Sequence, residues 1–216
     1  MFEYDKTLIL FGRSPFINKI AEYIPELCNK YHTMGCNYFV NSFPEVEYVV
    51  FYDDLVPKVE PKHKIITNTK YCTSATYKSY NLLQNHRNKS LYIINKNSKE
   101  FSPNKLVLNF CIHTPSMALN WAYLNGFKKV VIAGIDLTLE NREHFDKATT
   151  PDADSNDFNV PAITAARNHL ENVARRYLRV YQLNPNSDIQ IPKVKISDLL
   201  WLNLLKKYLL ILLNTN

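Results

Sequence analysis

Residues 114–136 constrain the fold more than any other stretch of this chain. Thr114–Asn125 places Met117, Ala118, Trp121, Ala122 and Leu124 at helical spacing. Gly126 then stands where a helix commonly ends on a left-handed residue. After Lys128 and Lys129 comes the unbroken apolar run Val130–Ala133, followed by Gly134-Ile135-Asp136. A strand with one wet face would alternate; this one does not, so it reads as a strand buried on both faces and reached through a helix, as in a parallel βαβ unit.

A second unit of the same kind opens the chain. Thr7–Phe11 is a short apolar run closed by Gly12 and Pro15, and Phe16–Lys30 carries Ile17, Ile20, Ala21, Ile24 and Leu27 at helical spacing. Thr33–Val40 and Tyr48–Tyr52 follow as strands, the latter running into Asp53 and Asp54. Ile65–Asn68, Leu91–Ile94 and Leu106–Asn109 are shorter strand candidates. A later helix starts at Pro161 and runs through Ile163, Ala166, Leu170 and Val173 to Leu178. A final strand, Arg179–Leu183, precedes the turn Asn184-Pro-Asn-Ser187. The pattern predicts an α/β protein, Rossmann-like, with a mostly parallel sheet flanked by helices, a lid segment and a C-terminal amphipathic helix. The expected division is a Rossmann-like domain over 1–196, with the lid at about 141–160, and an extension over 197–216.

In open α/β sheets the ligand crevice lies beyond the carboxyl ends of the strands, so Gly12–Pro15, Asn37, Asp53 and Gly134–Leu137 are expected to converge there. Only four glycines occur, Gly12, Gly35, Gly126 and Gly134, each beside a segment that reads as a strand. An excess of 26 Lys+Arg over 20 Asp+Glu, a formal charge of +6, favours acidic partners. Nucleic acid is not expected among them, because no arginine-rich run interleaved with aromatics and no zinc-finger spacing is present. Cys28, Cys36, Cys72 and Cys111 are scattered, without a C-x-x-C pair or a preceding secretory signal, which fits packing roles in a reduced cytoplasmic protein.

At its strand ends the chain resembles the bacterial sialyltransferases of lipooligosaccharide synthesis. The stretches that carry the resemblance are Gly12-Arg-Ser-Pro-Phe16, Gly35-Cys-Asn37, Phe51-Tyr-Asp53, Gly126-Phe-Lys-Lys129 leading to Ala133-Gly-Ile-Asp136, and Leu183-Asn-Pro-Asn-Ser187, in the family's order over about 180 residues. The resemblance implies metal-free, inverting transfer of a sugar from a CMP-activated donor to a glycan acceptor. It also implies roles for Asn37 on donor phosphate or ribose, Asp53 on the donor, Thr114 near the donor carboxylate, and Asn186 and Ser187 in the cytidine pocket. Three departures stand out. The family's Gly-Asn-Gly loop is Gly12-Arg13-Ser14 here, and its lid histidine is replaced within Asn159-Val-Pro161. Its phosphate-binding tyrosines are also missing from Glu140–Asp146, where Arg142 and His144 stand instead.

From chemistry alone, such a transfer needs a nucleotide pocket, positive charge on the leaving phosphate and a base near the acceptor hydroxyl. Arg13, at a helix N-terminus beside Gly12 and Ser14, suits phosphate oxygens, with backbone N–H groups adding to its charge. His144, in Arg142-Glu-His-Phe-Asp146, is the first candidate base and His113 the second. His32, His63 and His86 read as polar loop residues and His169 as a helix-surface residue. Asp136 is open between a base, a ribose ligand and a structural cap, and Gly134 lets the backbone approach a ligand. Asp53 with Asp54 raises Mg²⁺ on a diphosphate, but without further acidic residues at fixed spacing no metal or other cofactor is expected. Two other readings stay open: a phosphoryl or diphosphoryl transferase like the archaeal-type pterin diphosphokinases, and a nucleotide-binding domain that has lost its base.

Leu199–Leu213 is almost wholly apolar, with Asn203, Lys206 and Lys207 as its polar breaks on one narrow stripe. It is too short and too charged for a span of about 20 apolar residues. Either it lies in a membrane surface, making the protein peripheral on the inner face, or it packs against the sheet or within a homo-oligomer.

Overall fold

The computed structural model describes residues 2–3, 6–51, 70–74, 89–95, 98–109, 113–137 and 160–200. Asp53, Asp54, His63, His86, Cys111, Arg142, His144, the strand candidate Ile65–Asn68 and the lid up to residue 159 lie outside them. The described strands form one sheet in which every neighbour pair is parallel. They are β1 (Thr7–Phe11), β2 (His32–Cys36), β3 (Tyr48–Val50), β4 (Lys70–Ser74), β5 (Lys89–Asn95), β6 (Val107–Asn109), β7 (Lys129–Ala133) and β8 (Arg179–Gln182), in the order β6-β5-β4-β3-β2-β1-β7-β8.

β1 sits between β2 and β7 and is buried along its whole length. Its alternate residues feed two core layers. Leu8 and Leu10 join Met34, Met117, Trp121, Val130 and Ile132 on one face, while Ile9 and Phe11 join Ile17, Leu27, Phe39 and Val131 on the other. This is the two-sided burial that the unbroken apolar runs require. Helices α1 (Phe16–Ile20), α2 (Ile24–Lys30) and α3 (Phe39–Ser42) cover the second face. Helix α4 (Thr114–Leu124) covers the first, together with Leu170, Ala174 and Leu178 from the turns that prolong helix α5 (Val160–Asn168). Gly126 follows α4 at φ +82°, as its place in the sequence leads one to expect.

Several elements differ from the sequence expectation. The single helix over Phe16–Lys30 is broken by a 3₁₀ turn at Ala21–Tyr23, just ahead of Pro25 at the start of α2. Proline lacks the N–H to continue the ladder and its ring excludes the carbonyl four residues back. The strand expected over Thr33–Val40 ends at Cys36. Asn37 turns left-handed at φ +53°, and Phe39 folds back over Gly35, where a Cβ would meet its ring at 2.9 Å. The β3 strand stops at Val50, and β4 at Lys70–Ser74 was not anticipated. His32 is no loop residue; it opens β2 with Nδ1 2.5 Å from Glu47, which also takes Lys70 at 2.8 Å.

His169 is no surface residue either. It is 3% exposed, three positions after the buried Ala166, in a π turn (His169–Val173) that widens the inward stripe so that Leu170 is buried beside it. A further helix begins at 196–200. Leu199 and Leu200 belong to the second core layer, and the Leu199 carbonyl accepts from Tyr31 Oη at 2.8 Å and from Lys30 Nζ. The described start of the C-terminal extension is therefore packed on the sheet domain. No helix among the described residues is long and apolar enough to cross a membrane.

Candidate functional site

Strand order fixes where a cleft can open. From β1 the sheet runs one way through β2 to β6 and the other way through β7 and β8, so the order reverses between β1 and β7. There the two strand ends nearly touch. Gly12 N donates to Ala133 O at 2.8 Å and Ser14 N to Gly134 O at 2.9 Å. A Cβ on Gly12 would lie 2.3 Å from Gly134 O, and Gly134 itself sits at φ +69° against Ile17. Only glycine at both positions allows this approach.

Just beyond, Ser14 Oγ donates to Asp136 Oδ2 at 2.5 Å. The two residues line a cleft of about 190 Å³ with Pro15, Phe16, Lys19, Asn184 and Asn186. Asp136 Oδ1 is buried without a hydrogen-bond partner, and buried carboxylate oxygens are ordinarily bonded. The next residue, Leu137, is left-handed at φ +50°, a conformation that costs a non-glycine residue energy. Its carbonyl accepts from Arg167 Nε at 3.0 Å, and the Arg167 guanidinium also reaches Asp188 at 3.7 Å. On the opposite wall, Asn184 Oδ1 accepts from Asn186 N at 3.0 Å. Lys193 Nζ bonds the Ser187 and Ile189 carbonyls at 2.7 and 2.9 Å. Burial lowers the Lys193 pKa, opposed by the nearby Asp136 and Asp188. The cleft thus offers a carboxylate, two amides, a hydroxyl and the Lys19 ammonium, a set that suits a polar ligand carrying hydroxyls and negative charge.

Of the residues singled out from sequence, the structure gathers Ser14, Asp136 and Asn186 around one cleft, on the backbone contact of Gly12 and Gly134. Others stand apart from it. Arg13 points over the Tyr38 ring, its guanidinium carbon 5.0 Å from the centroid, next to Asn37 at the end of β2. Asn37 Oδ1 is buried and without a partner. Ser187 is buried, its Oγ accepting from Ile189 N at 3.3 Å.

Thr114 opens α4, capped by His113, whose Nδ1 accepts from Ser116 N at 3.1 Å. The Ser116 hydroxyl lies between the two imidazoles, 2.7 Å from His113 Nδ1 and 3.0 Å from His169 Nδ1. Burial holds His113 and His169 each down at about 4. Burial likewise pushes the thiols of Cys36 to about 12 and Cys28 to about 11, and raises Cys72, as apolar packing requires. Among the described residues no group of three His, Cys, Asp or Glu is placed to hold a metal.

No family model and no curated protein sequence matches the chain. Among solved structures, the MAf glycosyltransferase from Magnetospirillum magneticum AMB-1 superposes with a TM-score of 0.64 at 14% identity, over 89% of this chain and 34% of that one. The two share a fold. The chain spans about a third of that protein's length.

Sequence reasoning missed four residues here: Lys19, Asn184, Arg167 and Gln182. Lys19 stands three positions after Phe16, which puts both on one face of α1, and Asn184 lies inside the Leu183–Ser187 stretch already singled out. Arg167 and Gln182 gave no local signal, since the carbonyls they donate to, Leu137 O and Ile135 O, are distant in the chain.

Proposed function

We propose that the chain is a glycosyltransferase domain that binds a CMP-activated sugar and transfers it, sialyltransferase-like, to a cell-surface glycan acceptor. The observation that carries this reading is the cleft at the strand-order reversal, where Ser14 and Asp136 meet Asn184 and Asn186. Open α/β sheets bind nucleotides at such a point. The fold likeness to a glycosyltransferase supports the general class. The ordered strand-end stretches support the CMP-linked donor.

In the proposed reaction the acceptor hydroxyl attacks the anomeric carbon. The bond from that carbon to the phosphate oxygen breaks, CMP leaves with the electron pair, and His144 takes the hydroxyl proton. Inversion follows from a single displacement, and no metal is required. A peripheral attachment at the inner membrane face, through the residues of Leu199–Leu213 beyond the buried first turn, belongs to the same reading.

Thermal-shift measurements against CMP, UDP, GDP and ATP, with and without Mg²⁺, test it. A metal-free response to CMP alone is expected, together with slow hydrolysis of CMP-sialic acid that is lost in His144→Ala. A strictly Mg²⁺-dependent response to ATP would replace this reading with diphosphoryl transfer, and no nucleotide response would end it.

A further inference from the structure

Gln182 closes β8 with no exposed surface. A buried amide is costly unless its polar atoms are bonded. Its main chain is pinned on one side of the strand, where N donates to Pro192 O at 2.9 Å and O accepts from Val194 N at 3.0 Å. Its side chain reaches the other way and divides. Nε2 donates to Ile135 O at 3.0 Å, and Oε1 accepts from Asn184 N at 3.3 Å. Ile135 adjoins Asp136 on one wall of the cleft, and Asn184 is on the other. An aliphatic residue would fill this buried place at a lower desolvation cost. The amide spends both of its bonds on the two cleft walls.

The turn after β7 is held at three carbonyls by three different elements. Gly134 O takes Ser14 N, Ile135 O takes Gln182 Nε2, and Leu137 O takes Arg167 Nε. Of these donors, Gln182 also bonds Asn184, which lines the cleft opposite Asp136, while Arg167 reaches Asp188, beyond the cleft lining, at 3.7 Å. We infer that Gln182 is a positioning residue that sets the spacing between the Asp136 wall and the Asn184–Asn186 wall, so that one ligand meets both at once. The inference deepens the nucleotide-sugar reading and rests on it for the choice of CMP as probe.

Two measurements test it on the full chain. Gln182→Met keeps the side chain's length and removes both bonds. Val180→Ala, a buried position on the same strand, loses packing without touching either wall. In amide hydrogen exchange without ligand, Q182M is expected to speed exchange at 135–137 and at 184–187 together, while V180A leaves both segments as in the wild type. In CMP titrations, Q182M is expected to weaken binding about tenfold, the equivalent of ~1.4 kcal/mol, with V180A near wild type.

Gln182→Glu keeps the acceptor for Asn184 and loses the donor to Ile135. Its affinity relative to wild type is expected to fall at pH 7.5 and recover toward pH 5, where the protonated carboxyl can donate again; if Q182M does not fold, Q182E serves for both measurements. Faster exchange at one wall only, or at neither, overturns the inference, as does equal weakening by Q182M and V180A. A wild type that binds no CMP would sink the nucleotide reading, and the exchange result would still decide the role of Gln182.

Discussion

Ser14 and Asp136, 122 residues apart in the chain, are joined by a hydrogen bond of 2.5 Å from the serine hydroxyl to one carboxylate oxygen. The bond ties the loop after β1 to the loop after β7, while the other carboxylate oxygen is buried without a hydrogen-bond partner. Ser14→Ala is expected to lower stability by about 1.5–3 kcal/mol, the range for a hydrogen bond to a charged group. Urea unfolding reads the loss. CMP titration should show a parallel drop in affinity, and an unchanged affinity would detach this pair from ligand binding.

Two glycine substitutions separate stability from the site. Gly12→Ala drives a methyl group to 2.3 Å from Gly134 O and 2.5 Å from Ile135 Cγ1, forcing the two strand ends apart. A cost of roughly 1–3 kcal/mol is expected, as for overpacking. Gly126→Ala has open space around it and pays for its φ of +82° alone, about 1–2 kcal/mol. Both should melt earlier than wild type, and G12A alone should lose affinity for CMP.

Acid should destabilise the protein through two histidines. Burial holds His113 and His169 at about 4 in the folded chain, below their ordinary 6.5. Between those values the unfolded chain binds more protons. The stabilisation is therefore complete above pH 6.5 and is lost as pH falls toward 4, each histidine costing about 1.4 kcal/mol for every step of one in pH across that interval. Urea unfolding at pH 7 and pH 5 measures the slope. His169→Phe, which removes one of the two groups, should flatten it, and an unchanged slope would place the acid sensitivity elsewhere.

Cutting the C-terminal segment has a boundary. Leu199 is fully buried and its carbonyl is held by Tyr31 and Lys30, so Leu199→Ala is expected to cost about 2–5 kcal/mol. A chain ended after Ser197 should unfold far more easily than one ended after Leu200. Liposome sedimentation should therefore use the chain ended after Leu200. Retained lipid binding there would exclude residues 201–216 as the anchor.

Local pattern reported what local forces decide. β1 and β7 were legible because a strand buried on both faces must be apolar throughout, and Gly126 because a helix end favours a residue free of a Cβ clash. The meeting of Gly12–Ser14 with Gly134–Asp136 was legible because both lie at strand ends in a fold whose crevice position is set by topology. What escaped the sequence depends on partners far along the chain. His169 looks polar until Ser116 is placed beside it, and Gln182 has no reason to be inside β8 until Ile135 and Asn184 converge on it. The end of β2 was missed because Asn37 and Phe39 obey a turn that only the packing of Phe39 over Gly35 demands.

The reversal of strand order beside β1 also governs when the cleft comes into being. β1 finds β2 after a short connection, but its other partner, β7, and the wall that follows β8 arrive only after most of the sheet has been made. Loop closure over so long a separation is slow compared with local pairing. On a ribosome, the early strands can associate before the cleft exists. A nascent chain ending short of Asn186 should be able to gain much of its sheet while lacking any capacity to hold a ligand, so binding competence should appear abruptly, once Asn186 has been added.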